Sequence, residues 1–167
     1  MTPPVSIRIA EPTDVPQLAK LFKATVLQHG PQYYTARQTA AWAATADDHD
    51  RFQQFILNVT TYLAANESDI LGFAGIDSNG HVASAYVHHN YLGQGIGAAL
   101  MAQILDHAQR DRLPRLYCEA SKFSVGLFTK FGFQLYGTEV VERHGISFER
   151  YLMERIMVGE RDGVDCP

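Results

Sequence analysis

The chain has 167 residues, 46 % hydrophobic and 19 % charged, which fits one folded domain over residues 1–167. Its net charge of −4 excludes nucleic acid as a bulk electrostatic partner, because neutralising phosphates takes a surplus of Lys and Arg. "MTPPVSIRIA" has no signal-peptide core and no apolar run approaches the ~18 residues of a membrane span. With Cys118 in an apolar run and Cys166 next to last, no disulfide is expected, so the chain reads as cytoplasmic, with no membrane partner.

In chain order, "VSIRIA" (Val5–Ala10) alternates apolar and polar residues, which predicts a strand. Thr13 or Asp14 caps the next helix, which has Pro16 in its first turn and Leu18, Leu21, Phe22 and Val26 at helical spacing. His29-Gly30-Pro31 ends it. Thr35 and Gln38 stand at capping-box spacing and open a short helix through Trp42. Asp47 or Asp48 starts another, carrying Phe52, Phe55 and Ile56. The period then changes. Val59–Ala65, Ile70–Ile76 and His81–Val87 read as strands separated by "NESD" and "DSNG", turn chemistry that implies antiparallel pairing.

The longest helix runs from Ile96 to about Gln109, with Leu100, Met101, Ile104, Leu105 and Ala108 as its apolar stripe and Pro114 at its exit. Arg115–Ala120 is a strand. Strand–helix–strand here makes one right-handed crossover between parallel strands. A helix around Phe123–Phe131 and a hairpin turning at "RHG" complete the chain. The fold class is α/β in the α+β sense: a mixed, mostly antiparallel central sheet of about seven strands flanked by helices.

Gly93, Gly95 and Gly97 sit where a strand feeds a helix N-terminus. The first N–H groups of a helix lack intrahelical acceptors, so bare backbone there can close around an anion. The spacing suggests a phosphate or pyrophosphate cradle; the alternative is a tight turn needing glycine only for φ > 0. "GQGIGA" (Gly93–Ala98) also fits the dinucleotide fingerprint, with Glu119 about 20 residues onward. That fingerprint belongs in a first βαβ unit, however, and here it follows an antiparallel meander. The P-loop fails because no Gly-Lys-Ser/Thr follows. The 7 histidines show no H-x-x-x-H spacing, and His88 and His89, on an extended segment, point opposite ways, so no metal is expected.

"AYVHHNYLGQGIGAALMAQIL" resembles the acetyl-CoA-binding motif of the GNAT-superfamily N-acetyltransferases, and "EASKFSVGLFTKFGF" (Glu119–Phe133) resembles that family's last motif. The element order matches as well, so the resemblance covers nearly the whole chain. "FKATVLQHGPQYYTARQTAAWA" is similar to a bacterial subgroup whose members mostly have no assigned substrate. The resemblance implies acetyl-CoA as cosubstrate, a small-molecule amine as acceptor and direct transfer of the acetyl group. Its pyrophosphate would lie on the backbone N–H groups of Gly93, Gln94, Gly95, Ile96, Gly97 and Ala98. The backbone of Ala85, Tyr86 and Val87 would pair with the pantetheine arm, in the gap between two splayed parallel strands. Ser121 would lie near that arm, and Lys130 within reach of a phosphate.

Three positions depart from the family pattern. Leu92 replaces a Gln or Arg, His89 a Pro, and Phe128 the Tyr that in many members protonates the leaving thiolate. A phenyl ring has no proton to give, so another group does so or CoA leaves as thiolate, which a thiol pKa of about 8.5 tolerates.

Amide formation also needs a base for the ammonium proton. Glu119 is the first candidate. His81 is an alternative whose place beside a turn suggests the surface. Tyr117 and Cys118 face opposite sides of their strand; Cys118 lacks an activating partner, and Tyr117 is kept as the second catalytic candidate. Val87 or a neighbour would supply a backbone oxyanion donor. Gln32, Tyr33, Tyr34 and Trp42 are placed to line the acceptor side. The turn "ERHGISF" would gate that pocket or join a homodimer. The rival readings are a CoA-thioester-binding module without transferase activity, for which Phe128 speaks, and a nicotinamide-binding oxidoreductase.

Overall fold

The computed structural model describes residues 4–157. Cys166 lies outside them; Cys118 is buried and free. β1 (Ser6–Ile9) turns into α1 (Val15–His29) through a 3-10 turn at Pro12–Asp14. Asp14 stabilises the turn rather than the helix itself: its carboxylate accepts the Glu11 N–H at 2.7 Å and two Arg8 guanidinium bonds at 2.8 Å. α2 (Ala36–Ala44) opens on the expected capping box, with Thr35 Oγ1 accepting from the Gln38 N–H at 3.1 Å and Gln38 Oε1 from the Thr35 N–H at 3.0 Å. The Asp48 carboxylate caps α3 (His49–Leu57) at the Arg51 N–H.

β2 (Thr60–Ala65), β3 (Ile70–Ile76) and β4 (Val82–Val87) join β1 in an antiparallel sheet ordered β1-β2-β3-β4. A register shift between Gly75 and Ile76 leaves Ala83 unpaired, a bulge in β4. After α4 (Ile96–Arg110) come β5 (Arg115–Ala120), α5 (Val125–Lys130), β6 (Gln134–Arg143) and β7 (Ile146–Ile156). The last strand inserts between its two predecessors, giving a second antiparallel sheet ordered β5-β7-β6.

The seven strands therefore form two sheets rather than one continuous sheet. The expected parallel pairing of β4 with β5 is one isolated bridge, His81 to Tyr117, where the Tyr117 N–H donates to the Gly80 carbonyl at 3.0 Å. Past it the strands form no ladder, and a cleft opens between them. Two large cores flank the fork, and a third, smaller cluster holds Tyr34, Ala41 and Phe148. One packs α4 between the sheets through Leu100, Met101, Ile104 and Leu116. The other packs α1 and α3 on the opposite face of the first sheet through Leu18, Phe22, Phe52 and Phe73. No helix among the described residues is long and apolar enough to cross a membrane.

Candidate active site

The cleft at the fork encloses about 1060 Å³ and is lined from α1, α2, α3, β4, the 91–98 loop, β5, α5 and the β6–β7 hairpin. Its glycine end is a positive-φ turn. Gly93 has φ +74° and Gly95, the residue before α4, has φ +82°; a Cβ on either would meet nothing within 4 Å. Backbone conformation, not crowding, thus demands glycine at both positions. The loop opens into the cleft at the first turn of α4, where amides lack intrahelical partners. That geometry suits a phosphate ester, and Lys130 lines the same cleft. Leu92, Ile96, Gly97 and Ala98 line it too, but the Gln94 side chain is exposed on the outside of the loop and does not.

The edge of β4 supplies the second feature. The His88 N–H donates to the Leu71 carbonyl at 2.8 Å, and Val87 lies opposite Gly72. Antiparallel alternation then turns the backbone N–H and C=O of Val87 and Ala85 away from β3, toward the fork. The Val87 carbonyl is already taken, accepting from Thr25 Oγ1 at 3.2 Å. Its N–H stays free for an extended ligand or a developing oxyanion. The same alternation corrects the expectation for Tyr86: its backbone faces β3, and the phenol ring lines the cleft instead.

At the closed end of the fork, His81 Nε2 and Glu119 Oε2 lie 2.6 Å apart, both half-buried. The parallel bridge of His81 itself to Tyr117, two residues before Glu119, brings together residues 38 positions apart in sequence. The hydrogen bond to Glu119 raises the His81 pKa above its usual value, and the same bond lowers that of Glu119. His81, expected at the surface, is instead held in the cleft, its own N–H fixed by Asp77 Oδ1 at 2.9 Å.

Tyr117 lies behind this pair. Its ring stacks on His81 at 5.0 Å and packs beneath the Arg115 guanidinium at 4.8 Å, outside the cleft lining. Strand alternation did put Tyr117 on the same face as Glu119, but two residues nearer the closed end. Cys118 faces the cleft, where burial pushes its thiol up to about 12, leaving no thiolate at neutral pH.

On the acceptor side the structure brings Tyr34 and Trp42 into the cleft, ring centroids 5.4 Å apart. Tyr34 Oη accepts the Lys122 N–H at 3.0 Å, and Gln38 Nε2 donates to the Ser147 carbonyl at 3.0 Å, tying α2 to the far sheet. Gln32 and Tyr33 are exposed. Tyr33 rests edge-on against Phe123 at 5.6 Å, because the 3-10 turn at Gly30–Gln32 turns it outward and Tyr34 inward. Ser121 lines the cleft and bonds Ser124. Phe128 is 3 % exposed and packs edge-on against Phe133 at 5.1 Å. His88 and His89 do not point opposite ways: β4 ends at Val87, and their rings stack 4.4 Å apart. No cluster of His, Cys, Asp and Glu able to hold a metal occurs among the described residues. Sequence reading missed Ser84, Arg51 and Arg143, which line the cleft without belonging to any motif.

Comparison with known proteins agrees with this geometry. A family model described as "Acetyltransferase (GNAT) domain" matches residues 31–155. The chain is 24 % identical over 149 residues to the uncharacterized N-acetyltransferase YafP of Escherichia coli K12, covering 89 % of this chain and 94 % of that protein. Its fold is similar to a GCN5-related N-acetyltransferase from Rhodopseudomonas palustris, with a TM-score of 0.88 and 26 % identity over 94 % of this chain and 97 % of that one. It also matches the fold of the PaiA N-acetyltransferase of Thermoplasma acidophilum solved with coenzyme A, at a TM-score of 0.76 and 14 % identity over 92 % and 99 % of the two chains. The model match spans most of the residues that build the fork, and the chain belongs to the GNAT family of N-acetyltransferases.

Proposed function

We propose that residues 1–167 act as one catalytic domain that transfers the acetyl group of acetyl-CoA to a primary amine of a small molecule, by direct attack in a ternary complex. The observation that carries this reading is the fork itself: β4 turns the free N–H groups of Ala85 and Val87 into a cleft that continues to the bare amides of Gly93–Ala98. Acetyl-CoA supplies an acyl group activated as a thioester. The loop amides and Lys130 hold the diphosphate, the Ala85 and Val87 edge takes the extended arm, and Ser121 flanks it. The Val87 N–H is the donor for charge developing on the carbonyl oxygen, a role worth a few kcal/mol.

The amine nitrogen bonds to the carbonyl carbon as the carbon–sulfur bond breaks. The substrate ammonium first gives one proton to neutral His81, whose imidazolium Glu119 stabilises, and the second nitrogen proton passes to the departing sulfur or to solvent once the carbon–nitrogen bond has formed. Glu119 acts through His81 rather than as the base, because its own basicity is lowered by the same hydrogen bond. Phe128 donates nothing, so CoA leaves as thiolate or takes a proton from another group. Calorimetry with acetyl-CoA tests the reading, and no binding at millimolar ligand contradicts it.

One observation favours a second reading. Phe128 is a sealed phenyl ring at the motif position in question, as a binding module that holds CoA thioesters without turnover would carry. Free-thiol release from acetyl-CoA with an amine panel separates the two, and robust turnover removes the second.

A further inference from the structure

A chain of aromatic side chains runs along the wall of the cleft that faces away from α4. Phe55 meets Phe22 at 6.5 Å, Phe22 meets Tyr86 at 4.7 Å, and Tyr86 meets Trp42 at 6.3 Å. Trp42 then meets Tyr34 at 5.4 Å and Tyr34 meets Phe148 at 6.1 Å. All six line the cleft, and they come from separate elements of the fold. Val87 faces the other way, toward Gly97 and α4, so the wall lies across β4 from the glycine loop.

A polar anchor sits on the same strand. Ser84 is 6 % exposed and lines the cleft, yet its Oγ has no hydrogen-bond partner. A buried hydroxyl left unpaired is unfavourable, so a ligand group that satisfies it gains selectively. The charges along the cleft argue against a polycation. Glu119 is engaged by His81, and Asp48 by the Arg51 N–H. The exposed Glu142 and Glu149 alternate with Arg143 and Arg150, so the rim carries both signs rather than an acidic funnel.

We infer that the acceptor is a primary amine carried on a flat aromatic body, its ring laid on the Tyr86–Trp42 part of the wall, backed by Phe22, and a polar group bonded to Ser84. This rests on the acetyl-transfer reading above and names the substrate class for that site. Aromatic rings meeting edge-on or offset gain beyond the area they bury, which an alkyl chain does not.

Trp42 is the chain's 1 tryptophan, so its emission reports the site directly in the unaltered protein. The test titrates CoA-loaded protein with 2-phenylethylamine, hexylamine, spermidine and a short peptide with a free N-terminal alanine, and measures thiol release from acetyl-CoA with each. Phenylethylamine should change Trp42 emission saturably, and its kcat/KM should exceed that of the other three by about tenfold or more. Trp42→Leu should narrow that ratio by raising KM for the aryl amine, whereas Ser84→Ala should raise KM for tyramine, whose phenol can bond Ser84, and leave phenylethylamine, which has no second polar group, unchanged. No emission change with millimolar phenylethylamine, or turnover of hexylamine, spermidine or the peptide at an equal rate, would overturn the inference even if neither variant folds. Acetyl-CoA binding, read separately by calorimetry, reports on the acetyl-transfer reading and not on the ring.

Discussion

On the proposed mechanism His81 and Glu119 divide one proton between two roles, and pH distinguishes them. The raised imidazole value puts the acid limb of kcat/KM above the ordinary value of 6.5, because only neutral His81 accepts a proton. Glu119→Gln removes the charge that raises it, so the limb should move to lower pH while activity persists. If Glu119 were the base, the variant would lose the limb and the activity together. His81→Gln should lower kcat about 10²-fold or more. The stability signs differ for the two partners. His81's contribution is complete below the ordinary imidazole value and is lost as pH rises through its raised value. That of Glu119 is present above the ordinary carboxylate range and is lost as pH falls through its lowered value. Urea denaturation across pH should therefore show the pair's contribution greatest in the mildly acidic range between them. Glu119 was legible in the sequence because a carboxylate at a strand end is conspicuous. The pairing was not, since a turn-side histidine 38 residues away gives no local sign of its partner.

Gly97 and Gly80 carry opposite predictions at the scale of the element. A Cβ at Gly97 would make ordinary 3.5 Å contacts with Leu127 and Val87, so Gly97→Ala should raise helix stability by about 0.5–1 kcal/mol. On the proposed function the same methyl, placed against Leu127 and Val87 in the cleft lining, would narrow the space left for acetyl-CoA beside the loop. Acetyl-CoA binding should weaken by about tenfold or more. Thermal melts and calorimetry on one preparation read both signs. Gly80 has φ +92° and a Cβ there would lie 2.1 Å from the Arg115 carbonyl oxygen, at the junction that closes the fork. Gly80→Ala should cost roughly 2 kcal/mol or more in urea denaturation and lower turnover by displacing His81. Thr35→Ala should cost about 1 kcal/mol through the capping box and loosen the Tyr34 contact with Lys122. The capping box, the helix stops and the strand turns were readable because each depends on neighbours in sequence. The end of β4 at Val87 was readable, but its consequence for the next two residues was not: His88 and His89 lie past the strand, and the alternation expected of them fails there.

Across the described residues, two sheets meet at one backbone bridge, and the cleft occupies the space a continuous sheet would have filled. Periodicity predicted the seven strands and five helices in order. It did not show that β7 inserts between β5 and β6 or that the sheet divides, because both depend on long-range pairing that no local pattern encodes. A ligand seated across the fork binds both halves. Saturating acetyl-CoA should therefore stabilise the fold by about 2.7 kcal/mol at a hundredfold excess over Kd, visible as a rise in Tm. Absence of that rise at saturation would mean that the ligand binds the unfolded chain equally well or does not bind.

The most direct measurement is a crystal structure of the protein soaked with acetyl-CoA. The account predicts the diphosphate on the amides between Gly93 and Ala98, the extended arm along Ala85 and Val87, and the thioester carbon facing His81 across the fork. A diphosphate bound elsewhere, or those amides turned inward and closed off, would contradict it.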